Sequence, residues 1–335
     1  MSVTQYPDKA VERDRWILDR RPSRPRHNVW EPQGAFRERE PDGTGGVAEV
    51  ATLLLTGREC PWRCLMCDLW RHTVEEEVPA GAIPRQVALG LERLRGAAPA
   101  ATEAGVGSGL PRWLKLYNSG SWFDPRSVPP ADDAEVAKLA RGFERVIVES
   151  HPALIGARAR TFRDRLRAAA DGGGGRLEVA MGLETAHPGV LERLNKRVTL
   201  EQFRAAAARL VDADIAVRAF VLVQPPFLGV DEAYGWACRS IDFAFDCGVG
   251  VVALIPTRFG NGALEALARV GQFQPPGLAL LEACLIYGLR LGRGRVLADV
   301  WDADRFQAGE AGTAETVRRL ERMNLRQRVE EATEG

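Results

Sequence analysis

Three of the six cysteines in this 335-residue chain stand close together, as Cys60, Cys64 and Cys67 in the spacing C-x3-C-x2-C. Thiolates are soft ligands that suit zinc or iron–sulfur clusters. A structural zinc site takes four ligands, commonly from two C-x2-C pairs or from one pair with two distant histidines. Because only one C-x2-C occurs here, the spacing favours a [4Fe–4S] cluster held by three thiolates, with its fourth iron open for chemistry.

Structural zinc is the alternative interpretation of these cysteines. It would need a distant fourth ligand, for which the candidates are His72, His151, His187 and Cys247. The cysteines outside the loop, Cys238, Cys247 and Cys284, are interpreted as core thiols of predicted helices.

The cysteine loop follows an apolar run, residues 48–55, that predicts a buried strand. Five more apolar runs follow, separated by amphipathic helical patterns, and a last strand is predicted near the C-terminal end. These strands are residues 113–117, 145–149, 177–183, 217–223, 250–255 and 295–300. The alternation predicts a parallel sheet with helices outside it, which closes fully or partly as a barrel.

Polar residues follow several of these strands at the end where parallel strands bind ligands. Residues 118–121 follow the second strand, Glu149 ends the third, Glu184 ends the fourth and Pro256 stops the sixth. We therefore expect them to converge with the cysteine loop at one mouth of the barrel.

Two helix starts can be placed from short-range signals. Thr199 with Gln202 three residues later predicts a capping box. Asp132 or Asp133 is predicted to cap the helix before the third strand.

The chain has 45 basic and 45 acidic residues, so its formal net charge is zero. Balanced charge does not indicate a protein that holds nucleic acid by bulk electrostatics, although a local basic patch or a delivering partner stays open. The sequence begins without an apolar leader and has no stretch near the ~20 apolar residues of a membrane span. We expect a cytoplasmic protein without membrane contact, whose clustered cysteines are ligands and not disulfides.

The chain is divided into three predicted parts. Residues 1–46 form an N-terminal arm rich in arginine and proline, 47–302 form the core barrel, and 303–335 form a charged, helical C-terminal tail. The arm is interpreted either as a solvated segment that wraps the domain or as a contact surface for an anionic substrate.

A C-x3-C-x2-C motif directly after the first strand of such a barrel resembles the radical S-adenosylmethionine (SAM) superfamily. The resemblance implies an α/β fold, a partial TIM-type (β/α)6 barrel with an N-terminal arm and a C-terminal helical extension. It also implies that Cys60, Cys64 and Cys67 ligate three irons of a [4Fe–4S] cluster and that the fourth iron binds SAM. An electron from a donor such as flavodoxin or ferredoxin would then cleave SAM to methionine and a 5′-deoxyadenosyl radical.

The same resemblance implies contacts to SAM at other strand ends. The turn that binds the SAM ammonium group would be Asn118, Ser119, Gly120 and Ser121. Glu184 occupies the place of a polar SAM contact, and Ile255 and Pro256 occupy the place that flanks adenine. For residues 118–121 the alternative is an ordinary turn. For Glu184 it is a salt bridge to Arg218 or Lys196, and for Ile255 and Pro256 it is a simple end to the sixth strand.

Other charged and aromatic residues are candidates for meeting the substrate. Glu149, Lys196 and Arg218 are the candidates for a catalytic role. Candidate substrate contacts are Trp122, His151, Asn195, Lys196 and Arg218.

Longer phrases resemble one subfamily near the Elp3/MiaB-like group, the radical SAM subunit of archaeosine synthase and its uncharacterised bacterial relatives. They are Tyr117–Asp124, Val148–Pro152, Met181–Thr185, Leu194–Lys196 and Val223–Leu228. In that subfamily a C–N bond is cleaved in a lysine-modified 7-deazaguanine of tRNA, and a partner protein helps to supply the substrate. The resemblance implies a tRNA-modifying enzyme of lyase or transferase type, with tRNA or a tRNA-modifying subunit as partner.

Two other functions stay open at this point. One is a radical SAM enzyme that acts on a small metabolite of secondary metabolism. The other is a metal-binding or interaction protein without catalytic activity.

Overall fold

The computed structural model of the chain describes residues 5–96, 111–170, 174–301 and 313–330. A single sheet is built from strands β1 (Gly34–Pro41), β2 (Val47–Leu54), β3 (Trp113–Tyr117), β4 (Arg145–Glu149), β5 (Arg176–Glu184), β6 (Ala216–Val223), β7 (Val251–Pro256) and β8 (Arg295–Ala298). The eight strands lie in sequence order. Strand β1 is antiparallel to β2, and every later neighbouring pair is parallel.

Ten α-helices occur within the described residues. They are α1 (Ala10–Leu18), α2 (Ala82–Gly96), α3 (Asp133–Leu139), α4 (Ala157–Ala169), α5 (Pro188–Arg193), α6 (Leu200–Asp212), α7 (Val230–Asp246), α8 (Ala263–Ala268), α9 (Leu278–Leu291) and α10 (Thr313–Arg326). Within the described ranges no pairing joins β8 to β1, so the curled sheet is a partial barrel. The predicted fold class, an α/β partial TIM-type barrel, is confirmed.

The strands are apolar because both faces of the sheet are covered. Val251, Val252 and Leu254 of β7 are almost completely buried, and the same core contains the inner faces of the helices. Among the described residues, no helix is long and apolar enough to cross a membrane.

One of the two predicted helix starts is correct in detail. The Thr199 side chain accepts from the N–H of Gln202, and the Gln202 side chain accepts from the N–H of Thr199, so the capping box of α6 is confirmed. The prediction for α3 is wrong in its contacts: the Asp132 carboxylate accepts from Gly81 N–H and makes no cap bond to the helix. Asp133 instead pairs with Arg158 of α4.

Part of the N-terminal arm is built into the fold and is not a solvated segment. Residues 34–41 form β1, which the sequence analysis did not predict, and pair with β2 along eight residues. Helix α1 buries Trp16 and Ile17, with Tyr6, against Leu65 of the cysteine loop and Leu264 of α8. The arm therefore lies across the cysteine loop.

The predicted C-terminal helical extension includes α10, which packs on the last strand of the sheet. Leu320 and Met323 are fully buried. Asn324 and Gln327 use their side-chain amides to donate to and accept from the backbone of β8. Helix α10 therefore covers the β8 edge, which would otherwise present unpaired backbone groups. The predicted boundary at residue 303 lies outside the described residues.

A layer of ion pairs fills the barrel near the amino-terminal ends of its parallel strands. This charged layer comprises Glu40, Lys115, Arg145, Glu178 and Arg218. Arg218 donates to Glu178 Oε1 at 2.7 Å and to Glu40 Oε2 at 2.6 Å. Lys115 Nζ lies 2.7 Å from Glu40 Oε1, and Arg145 lies 2.6 Å from Glu178 Oε2. Because buried charges are costly unless paired, these residues depend on one another.

Candidate functional site

The three loop cysteines follow β2 and carry free thiols. Burial raises the pKa of Cys64 to about 12, and the neighbouring Cys60 adds to the rise. Burial also raises the pKa of Cys67, with further contributions from Cys64 and Cys60. The surroundings of the three thiols therefore disfavour free thiolates. Bound metal would offset that penalty, because a thiolate is the ligand form.

Within the described part of the chain, no group of three or more His, Cys, Asp or Glu side chains is arranged to hold a metal ion.

The backbone of the cysteine loop is fixed from two other parts of the barrel mouth. Leu65 N–H donates to the Leu194 carbonyl at 2.9 Å. The Asn195 amide donates to the Arg63 carbonyl at 2.8 Å, and the Asn261 amide donates to the Leu65 carbonyl at 2.6 Å. Asn195 was predicted to contact substrate; the structure places it as a buried anchor of the loop.

Glu59, directly before the first cysteine, ties the loop to the N-terminal arm. Its carboxylate pairs with Arg21 at 2.7 Å, with Arg63 at 3.0 Å and with Arg24. The Arg21 guanidinium also lies 4.8 Å from the centre of the Trp70 ring. Two arm arginines are therefore engaged by the loop itself.

At the end of β5, Glu184 and Lys196 form a buried ion pair. Lys196 Nζ lies 2.7 Å from Glu184 Oε1, and both side chains are almost fully buried. Burial lowers the pKa of Lys196, but the Glu184 carboxylate and the nearby Cys64 and Cys60 together outweigh it, so the pKa lies above its ordinary value. A Cβ on Gly182 would overlap both charged groups, so glycine makes room for the pair. The salt bridge considered for Glu184 from the sequence is present with Lys196.

Glu149 ends β4 beside the turn formed by Asn118, Ser119, Gly120 and Ser121. Burial raises the pKa of Glu149 to about 7, although the N–H groups of Ser119, Gly120 and Asn118 lower it. Within the described residues, Glu149 Oε1 and Asn118 Oδ1 are buried acceptors without a hydrogen-bond donor. Buried acceptors normally have a donor, so these two atoms favour a ligand that brings one.

The protonation of Glu149 leads to a prediction about stability. Its pKa in the native protein is raised to about 7 from an ordinary 4.5, so the native state holds this proton more tightly than the unfolded chain does. Between those two pH values, stability is lost as the pH rises. We expect the wild type to lose about 1.4 kcal/mol of unfolding free energy per pH unit relative to Glu149→Gln.

Urea unfolding of both proteins at several pH values from about 5 to about 7 measures this difference. Glu92→Gln, at an exposed position of α2, is the matched control and should follow the wild type. Parallel pH dependences for the wild type and Glu149→Gln would contradict the prediction.

His151 and Trp62 form a stack over the same region. Their ring centres are 3.6 Å apart and nearly parallel, at 9°. His151 Nε2 lies 3.0 Å from the Lys196 carbonyl oxygen. Burial and the nearby Lys196 cation lower the pKa of His151 to about 3, which keeps the ring neutral.

Four predicted residues remain: two stand at the end of β7, and two are buried elsewhere in the fold. Ile255 and Met66 of the cysteine loop both pack against a cluster that contains Leu222, so the end of β7 contributes to an apolar region shared with the loop, and Pro256 ends that strand. Trp122 is completely buried against Phe162. Arg218 belongs to the charged layer, at the other end of the strands from the cysteine loop.

Sequence reasoning missed Glu59 and Asn261. A signal for Asn261 exists, since it stands between Gly260 and Gly262, whose positive φ angles of 131° and 80° mark a tight turn. Glu59 has no comparable signal, because its partners Arg21 and Arg24 are distant in the sequence.

Comparisons with known proteins give limited but consistent relationships. No protein-family model matches the sequence. An uncharacterised protein of Methanocaldococcus jannaschii is 23% identical over 259 residues, which cover 75% of this chain and 66% of that protein. The archaeosine synthase subunit beta of Methanosarcina acetivorans is 28% identical over 171 residues, which cover 49% of this chain and 47% of that protein.

The predicted similarity to archaeosine synthase is confirmed. The chain spans about half of the length of archaeosine synthase subunit beta and just under two thirds of the M. jannaschii relative. The part shared with the archaeosine synthase subunit amounts to about half of this chain.

Solved structures of radical SAM enzymes and related proteins resemble the fold more distantly. Methanocaldococcus infernus Elp3 has a TM-score of 0.47 at 13% identity, covering 63% of this chain and 54% of that chain. Methylornithine synthase has a TM-score of 0.43 at 12% identity, covering 80% and 79%. Escherichia coli coproporphyrinogen III oxidase, a radical SAM enzyme, has a TM-score of 0.37 at 14% identity, covering 54% and 39%.

Proposed function

We propose that this protein is a radical SAM enzyme with one [4Fe–4S] cluster on Cys60, Cys64 and Cys67. The observation that carries the proposal is the C-x3-C-x2-C loop that follows β2 at the mouth of a partial TIM-type barrel. Three cysteines leave one iron of a four-iron cluster without a protein ligand. When bound, cluster and SAM supply one-electron cleavage of SAM and abstraction of a hydrogen atom from substrate.

Buried acceptors and an apolar surface at the mouth suit SAM. The buried acceptors Glu149 Oε1 and Asn118 Oδ1 suit the ammonium group of SAM. Gly57 and Gly120 keep the neighbouring backbone open, since a Cβ on Gly57 would lie 2.5 Å from the Asn118 carbonyl oxygen. The apolar surface at Ile255 and Met66 suits the adenine face.

The charged and aromatic residues of the mouth have positioning roles in this proposal. Lys196 is a buried cation whose charge favours the thiolate forms of Cys60 and Cys64. Glu184 holds Lys196 in place, and the Trp62–His151 stack keeps water from that side of the loop. The electron comes from a small carrier such as flavodoxin or ferredoxin.

Formation of 5′-deoxyadenosine from SAM tests the enzyme class. The protein is reconstituted anaerobically with iron and sulfide, reduced with dithionite and supplied with SAM, and the product is quantified by chromatography. Cys64→Ala is the negative control. An intact cluster that forms no more 5′-deoxyadenosine than Cys64→Ala would overturn the proposal and favour a non-catalytic metal-binding protein.

The proposed substrate is a modified tRNA nucleoside of the 7-deazaguanine type. Support comes from the 28% identity to archaeosine synthase subunit beta, which covers about half of each chain. A partner subunit that delivers the tRNA is part of this proposal, since balanced net charge gives the chain little bulk attraction for RNA. Consumption of lysine-modified 7-deazaguanine in a tRNA substrate, followed by mass spectrometry, tests it. Turnover of a free small metabolite with no change in the tRNA would overturn it.

A further inference from the structure

A groove with a volume of about 630 Å³ lies at the rim of the barrel mouth, between the end of β6 and α8. Its lining includes Arg193, Phe227, Phe259, Gln272 and Phe273. None of the residues predicted to bind the cluster or SAM lines it. The groove is therefore a separate feature from the site described above.

Aromatic side chains give the groove flat apolar surfaces. The Phe259 side chain is 45% exposed. It meets Phe273 edge to face, with ring centres 5.4 Å apart at 86°. This leaves the Phe259 ring accessible to a planar ligand, for which stacking is the favoured contact.

Two polar groups in the groove are free to bind a ligand. Within the described residues, Arg193 has no carboxylate within ion-pair distance, and its guanidinium lies 3.5 Å from the centre of the Phe227 ring. Gln272 Oε1 is buried and has no hydrogen-bond donor there. A cation held on an aromatic ring can bind an anion, and a buried amide oxygen can accept from a ligand N–H.

The groove adjoins the cysteine loop through shared packing. Phe227 and Met66 of that loop both pack against the cluster that contains Tyr6 of the arm, and the ring centres of Phe227 and Tyr6 are 5.1 Å apart. Phe227 adopts a φ of 70°, which is rare for a bulky residue, and its N–H donates to the Gln272 carbonyl at 2.9 Å. Such strain is most often kept where a side chain must point in one direction for binding.

A flat apolar ring, an unpaired cation and a buried amide acceptor together match one nucleotide. Unstacked bases of single-stranded RNA bind by stacking on aromatic side chains and by hydrogen bonds to their edges, and arginine binds phosphate. Asp231 and Glu232 begin α7 beside the groove residue Val230, and their charges would repel phosphate there. The phosphate would accordingly lie at the Arg193 side.

We infer that this groove binds an unstacked nucleotide of a single-stranded RNA segment, with the base on Phe259 and the phosphate at Arg193. The inference rests on the proposed function, whose tRNA substrate supplies the RNA. It places the bound nucleotide next to the cysteine loop, as expected for a neighbour of the nucleotide that reacts.

Binding of a short fluorescein-labelled single-stranded RNA to the full chain, followed by fluorescence anisotropy, tests the inference. Phe259→Ala should weaken binding about tenfold or more, the usual effect of losing one stacking partner. Arg193→Gln should weaken binding at low salt and reduce the slope of log affinity against log salt by about 0.7, the value for one phosphate contact to a single strand. Phe259→Ala removes a stacking surface and Arg193→Gln removes a phosphate contact, so the two variants test the inference through independent interactions.

Matched controls lie elsewhere on the surface. Tyr234→Ala removes an aromatic ring of nearly equal exposure, 44%, from α7, and Arg290→Gln removes an exposed arginine from α9. Both should bind RNA like the wild type. Equal losses in Phe259→Ala and Tyr234→Ala, unchanged binding in both groove variants, or no RNA binding at low salt would each overturn the inference.

The outcome can be separated from that of the proposed function, because the binding measurement needs neither iron nor SAM. RNA binding that depends on Phe259 and Arg193 supports the groove even if no 5′-deoxyadenosine is formed. If the protein forms 5′-deoxyadenosine but both groove variants bind RNA as tightly as the wild type, the inference about the groove is overturned and the proposed function is not.

Discussion

Replacing any one loop cysteine with alanine is expected to abolish assembly of the iron–sulfur cluster. Each of Cys60→Ala, Cys64→Ala and Cys67→Ala leaves two thiolates, too few to hold four irons. The cysteines outside the loop serve as matched controls, since they are buried in the core and their replacement removes a thiol without touching the loop: Cys238, Cys247 and Cys284.

Iron and acid-labile sulfide per chain, with the visible absorbance of the cluster, measure the effect after anaerobic reconstitution. The control variants should match the wild type. A loop variant that retains wild-type iron and sulfide would show that its cysteine is not a ligand. Retention of a single zinc ion in place of iron would favour the structural zinc site considered from the sequence.

Arg218→Met is expected to lower the unfolding free energy by about 3 to 5 kcal/mol. The change leaves Glu40 with Lys115, a cation that it shares with Glu38, and leaves Glu178 with Arg145 and Arg295, inside the barrel. Breaking a buried ion pair by removing one partner is costly because a charge stays buried without compensation. Urea unfolding at neutral pH measures the loss, and Arg290→Met, at an exposed position, should stay within about 0.5 kcal/mol of the wild type.

The pH dependence of the same variant identifies the cause. Burial raises the pKa of Glu40, but Arg218 and Lys115 outweigh it, so the pKa in the native protein lies below its ordinary value of 4.5. The stabilisation that the ionised Glu40 gains from Arg218 and Lys115 is therefore present above about pH 4.5 and is lost as the pH falls. Arg218→Met should lose less stability on acidification than the wild type. If Arg218→Met is as stable as the wild type at neutral pH and equally sensitive to acid, Arg218 does not stabilise the fold through the charged layer.

The parts of the fold that depend on local pattern could be predicted from the sequence. Apolar runs such as Val251–Leu254 form the parallel strands, and the Thr199 capping box starts α6 as predicted, because both signals are contained in a few residues. Strand β1 could not be predicted in the same way. Half of its sequence, GAFREREP, is charged, and it is a strand because it pairs with β2 and turns Glu38 and Glu40 toward Lys115.

The candidate site shows the same contrast between signals contained in a few residues and contacts between distant residues. Spacing placed the cysteines, and strand ends placed Glu149 and Glu184 near the mouth, because both follow from chain order. The roles of Asn195, Trp122 and Arg218 depend on partners that are far away in the sequence. Asn195 bonds to Arg63, and Arg218 pairs with Glu40 across 178 positions of the chain. No short-range pattern encodes such pairs.

The wrapping of the arm over the cysteine loop sets an order of events during synthesis on the ribosome. The arm leaves the ribosome first, yet Tyr6 bonds to the Arg193 carbonyl, which is 187 residues later. The Leu65 carbonyl accepts a hydrogen bond from the Asn261 amide, which lies 196 residues later in the chain. Domains of this size gain such contacts only after the later segment has emerged. The contacts that hold the arm and the cysteine loop in place therefore form only after residue 261 has left the ribosome.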